Sequence, residues 1–141
     1  MNFRHASSND CRLLAELNHQ LIRDEGHRYP MTVAELEQRL RDWLASEYAA
    51  VIFTENSETV AYALYRDEPK EIYLRQFFVV RDRRRQGCGR AAFDILQKKI
   101  WPTHKRLTVA ALVCNPAAIA FWRAMGYQDY SLTLEMMPPQ S

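Results

Sequence analysis

The stretch Val79–Phe93, "VVRDRRRQGCGRAAF", sets five arginines (Arg81, Arg83, Arg84, Arg85 and Arg90) and a Gly-x-Gly between two apolar runs of different period. The flanks decide how it is read. Upstream, "EIYLRQFFVV" is rich in β-branched and aromatic residues and predicts a strand; downstream, "RAAFDILQKKIW" predicts a helix stopped by Pro102. A loop leaving a strand and entering a helix offers unpaired backbone N–H groups at the positive end of the helix dipole, where phosphates bind. Gly87 and Gly89 suit that role, since a residue without Cβ lets an anion approach the backbone and tolerates positive φ. Arg84, Arg85 and Arg90 add charge beside it. A charge run is more often a solvated face, but two of the chain's four glycines at one strand–helix junction favour a phosphate-binding turn.

Outward from this loop the elements fall into order. "NFRHA" predicts a first strand, and "SSNDCRLLAELNHQLIRDE" a helix with Leu14, Leu17 and Leu21 on one face and Ser7 with Asp10 as its capping pair. "TVAELEQRLRDWL" opens on the capping box Thr32/Glu35 and carries Val33, Leu36, Leu40 and Trp43 on one face. "YAAVIFTE" and "TVAYALYRD", separated by a polar turn, predict an antiparallel hairpin. After the arginine loop and its helix come a strand "RLTVAALV", a helix "PAAIAFWRAM" ended by Gly126, and a last strand "YSLTLEMM". The order β-α-α-β-β-β-α-β-α-β describes an α+β domain with a largely antiparallel first half and a β-α-β crossover in the second.

Composition bounds the function. With 141 residues and 48% apolar content the chain predicts one domain, 1–141. A formal charge of +2 is not that of a chain built to coat nucleic acid. Cys11, Cys88 and Cys114 are scattered and odd in number, so neither a disulfide framework nor a zinc site is expected, and His5, His19, His27 and His104 show no ligand spacing. The N-terminus lacks an apolar signal core, and no run approaches the roughly 18 apolar residues of a membrane span. A cytoplasmic location with no membrane or nucleic-acid partner is the expectation.

Three phosphate motifs compete for the loop. A Walker pattern fails for want of Gly-Lys-Ser/Thr. Gly87, Gly89 and Ala92 match a dinucleotide fingerprint, but no Asp or Glu stands between Ile95 and Gln128 to hold a ribose. The third fits. "RRQGCG" supplies Arg-x-x-Gly-x-Gly at Arg84, Gly87 and Gly89, and "NPAAIAFWRAMGY" supplies Asn115, Ala118, Phe121, Trp122, Gly126 and Tyr127 in linked spacing. In both motifs and in element order over nearly its whole length the chain resembles the GNAT superfamily of acyl-CoA-dependent N-acyltransferases.

The resemblance implies a mixed sheet of about six strands with a splayed central pair and helices on both faces, and acetyl-CoA as co-substrate. Main-chain groups of Phe78 and Val79 would hold pantetheine. The loop Arg84, Arg85, Gln86, Gly87, Cys88, Gly89 and Arg90 would hold the pyrophosphate, with Asn115 and Trp122 nearby. The family's usual acid for the leaving thiolate is a tyrosine where this chain has Trp122, whose indole N–H donates but does not usefully ionise. No His, Asp or Glu follows Glu71 on its strand, so no base is assigned. Tyr73, Arg75 and Gln76, polar on an apolar strand, and Asp24, Glu25 and Tyr29, between the first helices, are the candidate contacts to an acceptor amine; ordinary cross-strand pairing and helix-end roles are the competing readings. The expected partner is a small-molecule or peptidyl amine, with a homodimer as a further option. Two rival readings stand beside the enzyme: a nonenzymatic acyl-CoA-binding or sensing protein, and, more weakly, a nucleic-acid module using "RDRRR".

Overall fold

Asn56 and Ser57 both adopt positive φ, 52° and 67°. That is the geometry of the two-residue turn whose twist matches paired strands, and it joins β2 (Tyr48–Glu55) to β3 (Glu58–Asp67) as the predicted hairpin. β1 (Asn2–His5) pairs antiparallel with β2, β4 (Glu71–Val79) antiparallel with β3, and β5 (Arg106–Val109) parallel with β4, giving the order β1-β2-β3-β4-β5. The computed structural model describes residues 1–26 and 30–140. No helix among them is long and apolar enough to cross a membrane.

Helices cover both faces. α1 (Cys11–Glu25) and α2 (Val33–Leu44) bury Leu14, Leu17, Leu36 and Leu40 against Ile52, Tyr62, Leu64 and Phe78. α2 starts where its capping box predicts: Thr32 Oγ1 accepts from the Glu35 N–H, and the Glu35 carboxylate accepts from the Thr32 N–H. On the other face α3 (Cys88–Ile95), widened into a looser turn over Leu96–Ile100, and α4 (Pro116–Met125) pack Phe93, Leu96, Trp101 and Trp122 against Val51, Ala63, Ile72 and Leu74.

One residue in β4 organises the rest. In the β3–β4 ladder Leu64 faces Gln76 and Tyr65 faces Leu74, so Arg75 is an extra residue, a β-bulge. Below it Ile72 and Leu74 join the α3/α4 core; above it the alternation is inverted, with Phe77 and Val79 on that core and Phe78 on the α1/α2 core. The parallel ladder to β5 runs from Glu71/Arg106 to Leu74/Val109 and stops at the bulge. Beyond it β4 and β5 part.

Two strand predictions are corrected. "RLTVAALV" forms a strand only over Arg106–Val109, and "YSLTLEMM" does not join the sheet, so five strands stand where about six were expected. The physical reason is shared: alternation makes a segment competent to be a strand, but pairing makes it one. Ala110–Val113 have lost β4 as a neighbour, and the tail carries Tyr130, Leu132, Leu134 and Met136 in the open.

Candidate active site

Where β4 leaves β5 a cleft of about 100 Å³ opens, walled by Leu74, Phe77, Val109 and Trp122 and carrying the polar groups of Glu25, Arg75, Gln76 and Asn115. A larger hollow of about 360 Å³ lies between β1, β2 and α2. Its one strong cation, Arg41, is tied to Glu37 at 2.6 Å, and it lies away from the loop. The smaller cleft has the chemistry.

The arginine–glycine loop follows the C-terminal end of β4, beyond the residues that line the cleft. Val80 leads into a short helical turn over Arg81–Arg83, Arg85 takes φ +64°, and Gly87 takes φ +80° before α3 begins at Cys88. A side chain at Gly87 would have space, so the left-handed backbone is what requires glycine there. Gly89 has a packing reason beside the predicted anion approach. It is helical, and a Cβ there would stand 3.2 Å from Phe121 Cε1 and 3.6 Å from Val79 Cγ2, so glycine lets α3 close onto α4. The first i→i−4 bond of α3 is Ala91 N–H to the Gly87 carbonyl at 3.0 Å. The N–H groups of Cys88, Gly89 and Arg90 precede it and lie free of the helix ladder, as helix starts do.

The five arginines divide. Arg83 pairs with Glu55 at 3.3 Å and Glu58 at 3.2 Å. Arg84 donates from Nε to the Val79 carbonyl at 2.9 Å, reaches Asp24 at 2.5 Å, and lies over the Phe78 ring. Arg81 takes the other Asp24 oxygen at 2.6 Å. Asp24 is therefore placed under the loop, not in the cleft. Burial alone would push its carboxyl up, but the hydrogen bonds from Arg84 and Arg81 outweigh that and hold it below the usual carboxylate range. Among the described residues Arg85 and Arg90, both exposed, have no carboxylate partner. Gln86 donates to the Asp82 carbonyl at 3.0 Å and shapes the turn.

The remaining candidates are placed as follows. Phe78 is fully buried, and only its main chain belongs to the strand edge. Asn115 caps α4, its Oδ1 accepting from the Ala118 N–H at 3.2 Å. Trp122 is buried in an aromatic cluster, with ring centroids 5.3 Å from Phe77, 5.6 Å from Phe93 and 5.5 Å from Tyr127. Gln76 Oε1 accepts from the Tyr62 hydroxyl at 3.0 Å, and burial pushes that phenol above its ordinary pKa. Tyr73 lies in the closed part of the β4–β5 ladder beside Arg66, outside the cleft. Tyr29 lies outside the described residues.

Sequence reasoning missed a stack beside the cleft. Arg75 and Arg39 each place a guanidinium over the Trp43 ring, at 4.6 and 4.5 Å, and Arg39 also donates to Asn18 at 3.1 Å. Burial first, and then the neighbouring Arg75 cation, lower the Arg39 pKa. The adjacent polar pair Arg75–Gln76, which breaks the alternation of an apolar strand, was the available signal for a bulge.

Comparison with known proteins adds an independent line. The acetyltransferase (GNAT) family model matches residues 14–127. No curated protein matches the sequence. Among solved structures, a mutant form of the Bacillus halodurans protein BH1408 superposes with a TM-score of 0.80 at 19% identity, over 99% of this chain and 100% of that one. The aminoglycoside N-acetyltransferase AAC(6')-Iy, in complex with CoA, gives 0.76 at 13% identity over 97% and 93%. A predicted acetyltransferase from Clostridium acetobutylicum, with acetyl-CoA, gives 0.73 at 20% identity over 96% and 95%.

Proposed function

The chain belongs to the GNAT acetyltransferase family, and from that premise we propose that it transfers the acetyl group of acetyl-CoA to a primary amine by direct attack within a ternary complex. The observation that carries the reading is the parting of β4 and β5 at the Arg75 bulge, with a glycine-turned helix start following the end of β4. The CoA and acetyl-CoA held by two of the similar structures support the choice of donor.

The residues then take these roles. The Cys88, Gly89 and Arg90 N–H groups receive the pyrophosphate, with Arg85 and Arg90 supplying charge. The β4 main chain at Phe78 and Val79, above the ladder's end, lines the pantetheine path. The amine nitrogen attacks the thioester carbon, a β4 N–H receives the developing oxyanion, and the C–S bond breaks as the thiolate leaves. Glu25, at the end of α1 and on the cleft wall, draws the cationic amine in; water takes one proton from the nitrogen before attack and a second as the tetrahedral intermediate collapses to the amide. Water also reprotonates the thiolate. Trp122 forms the apolar wall. The acceptor is a small-molecule amine, a class to which the aminoglycoside-acetylating structure points.

The test is release of free thiol from acetyl-CoA across panels of aminoglycosides, polyamines, small amines and peptides, with mass analysis of each acceptor. Thiol release matched by an acceptor 42 Da heavier (roughly one acetyl for one hydrogen) is expected. Tight acetyl-CoA binding with no thiol release for any amine would replace the enzyme with an acyl-CoA-binding protein.

A further inference from the structure

Four arginines among the described residues are half-buried: Arg39, Arg66, Arg83 and Arg84. Arg66, Arg83 and Arg84 each pair with a carboxylate, whereas among the described residues no carboxylate meets Arg39. What stands beside it is a second cation. Arg39 and Arg75 lie over the same Trp43 ring, at 4.5 and 4.6 Å, and the Arg75 charge acts with burial to lower the Arg39 pKa. The surrounding groups hold the two guanidiniums without neutralising them. Arg75 Nη1 donates to Tyr48 Oη at 3.3 Å, and Arg39 Nη2 donates to Oδ1 of the fully buried Asn18 at 3.1 Å. The Nε of Arg39 is buried and meets no acceptor. Stacking uses the face of a guanidinium and leaves its N–H edge, the edge that matches a carboxylate, free to donate. Two like charges fixed side by side, with donors to spare, form a receptor for an anion.

We propose that Arg39 and Arg75 bind a carboxylate of the acceptor, so that the amine this chain acetylates is an amino acid or a similarly small amino-carboxylate. The substrate class rests on the acetyl-transfer reading above. Its placement follows from the cleft, whose wall carries Arg75 and Gln76 from β4 and Glu25 from α1. Gln76 accepts from the buried Tyr62 hydroxyl at 3.0 Å, and both the Glu25 carboxylate and the Arg39 guanidinium act on that phenol. Opposite charges are thus set around one buried group at the cleft wall. Glu25 receives the ammonium of a zwitterion, and the arginine pair receives its carboxylate. A polycation such as an aminoglycoside would bring its further ammonium groups against Arg39 and Arg75, so the charges that admit the acid also reject the polyamine.

The experiment compares matched acceptors, α-amino acids and β-alanine against their carboxamides, with the full chain and acetyl-CoA. The acids should be preferred about tenfold or more in KM, the scale of a charge-assisted hydrogen bond. Arg75→Gln, at an exposed position, should remove the preference by raising the KM of the acid and not that of the amide; Arg39→Gln should do the same where it folds. Binding is read separately from turnover by titrating the same compounds into nitrogen-15-labelled protein with coenzyme A present and following the Trp43 indole N–H resonance. Acids should move it and amides should not, and in Arg75→Gln the response should be lost. If acids move that resonance while no amine releases thiol, the carboxylate site is supported and the transfer reading falls. Equal KM values for acid and amide, a preference for polycationic amines, or a Trp43 resonance that no acid moves overturns the proposal. So does an Arg75→Gln variant that slows acids and amides alike, the mark of a stack that is structural only.

Discussion

Asp24→Asn separates a carboxylate that receives the substrate amine from one that holds the loop. The Asp24–Arg84 contact joins a carboxylate 17% exposed to a guanidinium 37% exposed at 2.5 Å. A charge-assisted hydrogen bond contributes about 1.5–3 kcal/mol when enclosed, and partial exposure brings this one to about 1 kcal/mol. Arg81, 76% exposed, adds no more than about 0.3 kcal/mol. A neutral amide leaves the loop short of roughly 1–1.5 kcal/mol of ordering, which the ligand must then supply. Coenzyme A affinity should fall about tenfold. The freed charges of Arg81 and Arg84 act the other way, but they are exposed and screened by salt, while the backbone N–H cradle is not. Hence the deficit should widen as salt is raised.

The pH dependence follows from the same contact. Asp24 is held below its ordinary value in the folded state, so it binds a proton more weakly than in the unfolded chain. Its contribution to stability is complete above the unfolded value near 3.9 and drains away as pH falls through that value toward the folded one. Thermal melts of wild type and Asp24→Asn should therefore differ most near neutrality and converge from about pH 5 downward. Calorimetric titration with coenzyme A, repeated at two salt concentrations, reads the affinity. Unchanged melting and coenzyme affinity together with a raised acceptor KM would refute the reasoning and return Asp24 to the acceptor site.

Neutralising Arg85 and Arg90 together should weaken coenzyme A binding about tenfold and flatten its salt dependence, while Arg83→Gln, whose partners are Glu55 and Glu58, should alter melting and leave the affinity near wild type; titrations over a salt series decide it. Gly89→Val should lower both the melting temperature and coenzyme affinity, because its side chain must displace a Phe121 ring already stacked on Phe77; overpacking of this kind costs about 1–3 kcal/mol, and adding Phe121→Leu should restore the melting temperature first. Trp122→Phe should keep most of the turnover, whereas Trp122→Ala should lose about 3–5 kcal/mol of stability by opening the aromatic cluster; steady-state kinetics and melts read the two effects separately.

What was legible in the sequence was local. The Thr32/Glu35 box, the β2–β3 turn, Asn115 at the start of α4 and Gly126 at its end are each set by residues within a few positions of one another, and each forms as read. The two linked motifs carried the loop and the family for the same reason. What escaped the reading was set across distance. Asp24 meets Arg81 and Arg84 across 57 and 60 positions, and no spacing rule could distinguish that pairing from attraction of an amine. Gly89 faces Phe121 from another helix, so its need for a missing Cβ is visible only once the helices are packed. The Arg75 bulge lies between these cases. Its sequence sign is local, but its consequence is remote: by ending the β4–β5 ladder it opens the cleft and also leaves Ala110–Leu112 without a neighbour. The candidate cleft and the short β5 are thus two results of one extra residue. A variant that removes the bulge, deletion of Arg75, should lengthen the β4–β5 ladder, protect the amides of Ala110–Leu112 within the monomer and close the pantetheine path. If hydrogen exchange showed those amides unchanged while the chain stayed folded, the bulge would not be what holds the strands apart.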